Sequence, residues 1–354
     1  MRVHELVRAH DLVCRSVWLL VVAILSVAPA AADASVGLTQ IAGKPGEAVV
    51  TVYYPSTGEA KELKRGPFTF QMALDGAPAR GNRRLILISH GSGGSPWVHA
   101  NLAQTLVADG FIVAMPAHRG DNYTDPGTPG PESWKIRPLE IAHAIDAVSQ
   151  DMRLQPLLAL DKVGMYGMSA GGHTALSLAG GRWSPAGLTK HCEAHIAEDF
   201  AACVGLITQL RGNFLDGPKM TLALWVIQSR FSDATWQTHT DPRIAAIVAA
   251  VPYAADFDMT SLATPRVPLA LVTARLDKWL VPRFHSDAVL AACAACERLA
   301  DFATGGHGAL LSPLPPGLTG VVGNLLNDPP GFDRAETAGV DRKVSAFFRK
   351  LLLP

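Results

Sequence analysis

Between residues 48 and 353, short apolar runs alternate with longer amphipathic stretches. AVVTVYYPS alternates and is β-branched, which predicts a strand, and FTFQMAL reads the same way. LILIS (Leu85 to Ser89) is a continuous apolar run that opens into the Gly-rich HGSGG, the pattern of a buried strand ending in a loop. WVHANLAQTLVADG has helical periodicity and stops at Gly110, and FIVAMPAH is again a short strand. PESWKIRPLEIAHAIDAVSQDM is mostly helix, with Pro138 inside it or at a kink. DKVGMYGMSAGGHTALSLAG reads as strand, turn and helix. RIAAIVAAVP, VPLALVTA and RLADFAT are later strands, and DRKVSAFFRKLLL is a last helix.

Strands alternating with helices predict an α/β protein with a mostly parallel sheet covered on both faces. Chemistry in such sheets gathers at the carboxyl ends of the strands. One segment breaks the alternation. Residues 181–241 are too long for a plain loop, carry helical patches, and hold Trp183, Phe200, Phe214, Trp225, Phe231 and Trp236. They are read as a cap inserted after the helix that follows Ser169. The chain shows neither internal repeats nor low-complexity tracts.

The N-terminus reads as a targeting segment. Arg2, Arg8 and Arg15 precede VWLLVVAILSVA, and PAAADA follows, which describes a secretory signal over residues 1–32 with cleavage between Ala30 and Ala34. The apolar run is short for a membrane span. The main domain is then 36–354, and the expected location is exported, periplasmic or secreted, with no stable membrane insertion after cleavage. Cys14 precedes the apolar run, so four cysteines remain: Cys192, Cys203, Cys293 and Cys296. An even number in an oxidising compartment predicts disulfides. Four cysteines allow three pairings; the local Cys192–Cys203 is favoured without being required. CAAC at Cys293 also has the spacing of a redox pair, but it lies in an Ala-rich stretch read as helix, without a thioredoxin-like context. With 31 basic and 31 acidic residues the formal charge is zero, which gives no reason to expect nucleic acid or an anionic surface as a partner.

Gly167-Met168-Ser169-Ala170-Gly171 matches G-x-S-x-G. A Ser at a tight strand-to-helix turn takes an unfavourable backbone conformation, and the residues two before and two after it approach closely, so both need to be Gly. The Ala170 N–H, at the start of the helix, is a candidate oxyanion donor. A hydroxyl needs a base. His307, in TGGHGALL beyond the last strand, is placed for that role. His90 and His118 end earlier strands, and His173 sits on the helix after the Ser. His191 and His195 flank Glu193 without a clear third metal ligand. The acid expected beside His307 is Asp277, just past VPLALVTA; Asp256 and Asp258, after the preceding strand, are the alternatives. SHGSGGSP offers a second oxyanion donor, assigned to the backbone of Ser92, with Gly91 next; it lacks the Lys-Ser/Thr ending of a phosphate loop.

LILISHGSGGSP, GFIVAMPAHRGDNYTD, VGMYGMSAGGHTAL and TARLDKWLVP resemble the α/β-hydrolase superfamily, most of all its dienelactone-hydrolase-like branch, which includes bacterial proteins similar to platelet-activating-factor acetylhydrolases. The likeness runs from about Val49 to Leu353 and is weakest over the cap. Dienelactone hydrolases carry Cys at the nucleophile where this chain has Ser169, which points away from dienelactone and towards esters. The order Ser169, Asp277, His307 is that of the fold's triads. In the acetylhydrolase relatives the acid can follow the earlier strand, which keeps Asp256 and Asp258 open. The resemblance implies an exported serine esterase acting on a small-molecule ester, with no cofactor and no metal. The alternatives are a lipase-like or phospholipid acetyl-ester hydrolase and, from another class, a non-catalytic binding protein on the same fold. A thiol-disulfide role at Cys293 is a third reading.

Overall fold

All five residues of LILIS are buried, because this strand is covered on both faces. Its side chains divide by the period of two. Leu85 and Leu87 enter one apolar core and Ile86 and Ile88 the other. The computed structural model describes residues 35–44 and 46–354; the targeting segment read in residues 1–32, and Cys14 within it, lie outside the described residues.

Ten strands form one sheet: β1 (Ser35–Ile41), β2 (Val50–Ser56), β3 (Lys61–Arg65), β4 (Phe68–Leu74), β5 (Leu85–Ser89), β6 (Ile112–Pro116), β7 (Val163–Met168), β8 (Ile244–Ala250), β9 (Leu269–Ala274) and β10 (Glu297–Phe302). Their order is β10-β9-β8-β7-β5-β6-β2-β1-β4-β3. The six strands from β10 to β6 are parallel. Beyond them β2 runs antiparallel to β6, β1 antiparallel to β2, and β3 antiparallel to β4, with a short parallel β1–β4 contact. The expectation of a mostly parallel sheet thus holds for the half that carries the long loops, and the other edge is built from hairpins.

The helices are α1 (Ala100–Ala108), α2 (Pro131–Gln150), α3 (Ala170–Leu178), α4 (Pro185–His195), α5 (Phe200–Val204), α6 (Asp216–Arg230), α7 (Ser286–Ala292), α8 (Gly320–Leu326) and α9 (Ala335–Leu352). Leu102 and Leu106 of α1 and Val344 and Phe348 of α9 pack with one face of the sheet. Ile141 and Ile145 of α2, Leu176 of α3 and Val289 of α7 pack with the other. Phe348 lies directly over Gly164 of β7, where an added Cβ would sit 2.9 Å from its ring. Among the described residues no helix is long and apolar enough to cross a membrane.

The segment between α3 and β8 holds α4, α5 and α6. Its two ends meet in a reciprocal pair of hydrogen bonds, Trp183 N–H to Gln237 O at 3.2 Å and Gln237 N–H to Trp183 O at 2.8 Å. Cys192 of α4 is bonded to Cys203 of α5, and Cys293 to Cys296. The second bridge corrects the helical reading of the CAAC stretch. α7 ends at Ala292, and Cys293–Cys296 closes the turn that leads into β10. Pro282 opens only a 3-10 turn, Pro282–Phe284, and the helix starts at Ser286. WVH at the start of the expected helix before Gly110 likewise falls in a 3-10 turn, Pro96–His99, ahead of α1.

Candidate active site

β5 lies between β6 and β7, so the chain leaves its carboxyl end in one direction and returns on the other side. The loops after β5 and β7 therefore part and leave a crevice. Ser169 stands at this point, between β7 and α3, with φ 60° and ψ −118°. A left-handed φ on a non-glycine residue costs about 1–3 kcal/mol and persists only where its surroundings enforce it. Ser169 N–H donates to Ala250 O on β8 at 3.0 Å, and Ser169 O accepts from His173 N–H and Tyr253 N–H. Both flanking glycines are required. A Cβ on Gly167 would lie 1.9 Å from Gly171 O, and one on Gly171 would lie 1.9 Å from Ser89 O. The turn holds Ser169 5% exposed, with the N–H of Ala170 in the first turn of α3, where amides have no partner within the helix.

Asp277 follows β9 and His307 follows β10, on the same edge of the parallel sheet as Ser169. Asp277 Oδ1 accepts the backbone N–H groups of Trp279 and Leu280 at 2.8 and 2.9 Å. Its Oδ2 stands 2.7 Å from His307 Nδ1. A carboxylate only accepts, so Nδ1 carries the proton and donates it, which leaves the lone pair on Nε2. Nε2 is buried and has no hydrogen-bond partner, Ser169 included. An unpaired buried acceptor costs about 1–3 kcal/mol. Trp279 covers the imidazole, its ring centroid 5.0 Å away. The sheet thus carries an oriented imidazole lone pair and a strained Ser hydroxyl at the carboxyl ends of its parallel strands.

The loop after β5 lies against the Ser. A Cβ built on Gly91 would be 3.2 Å from Ser169 Cβ and 3.6 Å from Ser169 Oγ. The Ser92 hydroxyl is engaged elsewhere, donating to Asp121 Oδ1 at 2.6 Å, so only its backbone is available to a ligand. Behind the loop sits a buried polar network that sequence reading did not find. Arg137 of α2 is fully buried; its guanidinium donates to His90 O at 2.7 Å, Asp121 Oδ2 at 2.8 Å, Asp121 O at 3.2 Å and Ser133 Oγ at 2.9 Å. His118 donates to Glu140 Oε2 at 2.6 Å and accepts from Ser89 Oγ at 2.7 Å. This Ser–His–acid chain has the donors of a triad. It lies inside the core, Ser89 and His118 both wholly buried and Ser89 within a strand, with no route for a substrate. Burial pushes the imidazoles of His90 and His118 well below their usual range, and burial likewise raises the Glu140 carboxyl.

Other sequence candidates have separate partners. Asp256 Oδ2 pairs with His173 Nε2 at 3.2 Å, beneath Trp134, Trp183 and Phe257. Asp258 caps the Met259–Leu262 turn through Thr260 and bonds Arg182. Neither reaches His307, whose acid is Asp277. His191 and His285 both donate to Asp199 Oδ2, at 2.8 and 2.9 Å. Burial works against ionisation of Asp199, and these two bonds overcome it and hold its carboxyl at about 2. His195 lies 3.5 Å from Glu198. Among the described residues no group of three or more His, Cys, Asp or Glu is arranged to hold a metal ion. A cleft of about 560 Å³ runs along α4, lined by Lys190, His191, His195, Trp236 and Asp256; none of Ser169, Asp277 and His307 lines it. No family model matches the chain, and no curated protein matches it.

Proposed function

We propose that this chain is a serine hydrolase of the α/β-hydrolase type that cleaves carboxylic esters through an acyl-enzyme. The observation that carries the reading is the 2.7 Å Asp277–His307 hydrogen bond at the ends of β9 and β10, on the same sheet edge where Ser169 is held at φ 60°. Ser169 Oγ attacks the ester carbonyl while His307 Nε2 takes its proton. The tetrahedral oxyanion is met by the N–H groups of Ala170 and Ser92, each worth about 3 kcal/mol when aligned. His307 returns the proton to the leaving alcohol, the acyl group stays on Ser169, and a water activated by the same nitrogen releases it. Asp277 holds the tautomer and offsets the imidazolium charge. The three-helix insertion between α3 and β8 is the cap of the site. The two disulfides fit an oxidising compartment, in line with an exported protein.

A fluorophosphonate probe tests the assignment. The wild type is expected to label stoichiometrically and Ser169→Ala not at all; equal labelling of both places the nucleophile elsewhere.

A further inference from the structure

A fully buried guanidinium needs an explanation. Removing an Arg and its partner from water costs several kcal/mol each, and apolar residues of the same volume often stabilise as well or better. What an apolar replacement does not supply is the planar fork of donors with fixed directions. In Arg137 that fork ends on two points of one loop system. One arm reaches His90 O, immediately before Gly91; the other reaches Asp121 through its carboxylate and its carbonyl. Asp121 passes the restraint on, since its Oδ1 accepts from the Ser92 hydroxyl at 2.6 Å and from Gly93 N–H at 2.9 Å. Within this frame Gly91 O accepts from Gly94 N–H at 3.0 Å and from His90 Nδ1–H at 2.8 Å. A trans peptide is planar, so fixing the Gly91 carbonyl fixes the opposite direction of the Ser92 N–H. Gly91 itself packs on Ser169.

We propose that Arg137 and Asp121 are positioning residues that aim the Ser92 N–H at the developing oxyanion. The inference rests on the esterase reading above and names the buried device that organises one half of its oxyanion pocket. Neither side chain touches the substrate. Both act by denying the His90–Gly94 loop the rotations that would turn the amide away. The effect is confined to the transition state, because a planar ester carbonyl needs the amide less than a tetrahedral oxygen does.

The test uses Arg137→Lys, which keeps the charge and loses the fork, assayed on a soluble short-chain aryl ester and on its thionoester. Sulfur is larger and a weaker acceptor than oxygen, so an aligned pocket favours the oxygen ester, and the ratio of the two rates reports alignment rather than folding. Arg137→Lys is expected to lose about 10- to 100-fold in kcat with KM nearly unchanged, in line with the cost of displacing a reacting group by about 1 Å. The oxygen-to-sulfur rate ratio falls with it. Should Arg137→Lys fail to fold, Ser92→Ala cuts the loop's side-chain tie to Asp121 and leaves the ion pair intact; a loss of about threefold to tenfold in kcat with the same fall in ratio is expected. A folded variant with the kcat and rate ratio of the wild type overturns the inference alone. A wild type that neither hydrolyses the ester nor takes up the fluorophosphonate overturns the esterase reading, and the inference with it.

Discussion

Asp277→Asn changes one atom and, by the geometry of the site, reverses a tautomer. Oδ1 of Asp277 accepts two backbone N–H groups, from Trp279 and Leu280. An amide placed there must keep its oxygen on those donors, because its NH₂ would face two N–H groups and cost about 1–3 kcal/mol for each donor left unpaired. The new NH₂ then occupies the Oδ2 position, 2.7 Å from His307 Nδ1. Two donors do not bond, so His307 turns its lone pair to Nδ1 and carries its proton on Nε2. A protonated Nε2 has no capacity to accept the Ser169 proton. A triad base locked in the wrong tautomer loses about 10⁴ in kcat, or about 5 kcal/mol of transition-state stabilisation. The fold loses little, since the Trp279 and Leu280 bonds survive, and Tm is expected to move by no more than a few degrees. The measurements are kcat and KM on an aryl ester, thermal unfolding, and ¹⁵N chemical shifts of the His307 ring. KM is expected to stay within about threefold, since Asp277 makes no substrate contact. A variant that keeps more than about a tenth of the wild-type kcat, or whose His307 proton stays on Nδ1, refutes the reasoning.

Gly171→Ala places a Cβ 1.9 Å from Ser89 O and 2.5 Å from its carbonyl carbon, so α3 must move off β5 and carry Ala170 with it; kcat is expected to fall by about 100-fold and stability by about 1–3 kcal/mol, while Gly217→Ala, with nothing within 4 Å, leaves kcat unchanged. Asp341 is buried on α9, and burial raises its carboxyl to about 7, against about 3.9 in the unfolded chain. A raised carboxyl favours the folded state fully below the unfolded value and loses that advantage as pH climbs through the folded one, so Asp341→Asn should be more stable than wild type by up to about 4 kcal/mol at pH 8 and equal to it near pH 3, as read by denaturant unfolding at both values.

The half of the fold that carries the site was legible because burial on both faces writes an unbroken apolar run. β5, β7, β8 and β9 are apolar at nearly every position, and β5 and β7 hand over to Gly-rich turns. β1 and β3 escaped for opposite reasons. β1 carries Gly37 in mid-strand, and the Tyr54 ring fills the space a side chain would need, a contact between strands that no local pattern announces. β3, KELKR, is an edge strand of charged residues held by pairing to β4 rather than by burial. The positions of Ser169, Asp277 and His307 after β7, β9 and β10 were readable because an apolar strand run ends just before each. Arg137 and Glu140 were not, because charges on an amphipathic helix read as its solvent face. Asp121 lies in a loop, where no periodic pattern announces its burial against the guanidinium.

The sheet order also sets a schedule. His307 is made long after Ser169, and α9, later still, is the element whose Phe348 covers the strand leading to Ser169. A nascent polypeptide emerging from the ribosome N-terminus first therefore displays the Ser169 hydroxyl before the Asp277–His307 pair exists and with β7 bare on one side. On the esterase reading, the Ser169, Asp277 and His307 edge of the sheet is complete only once β10 and the loop after it have been made.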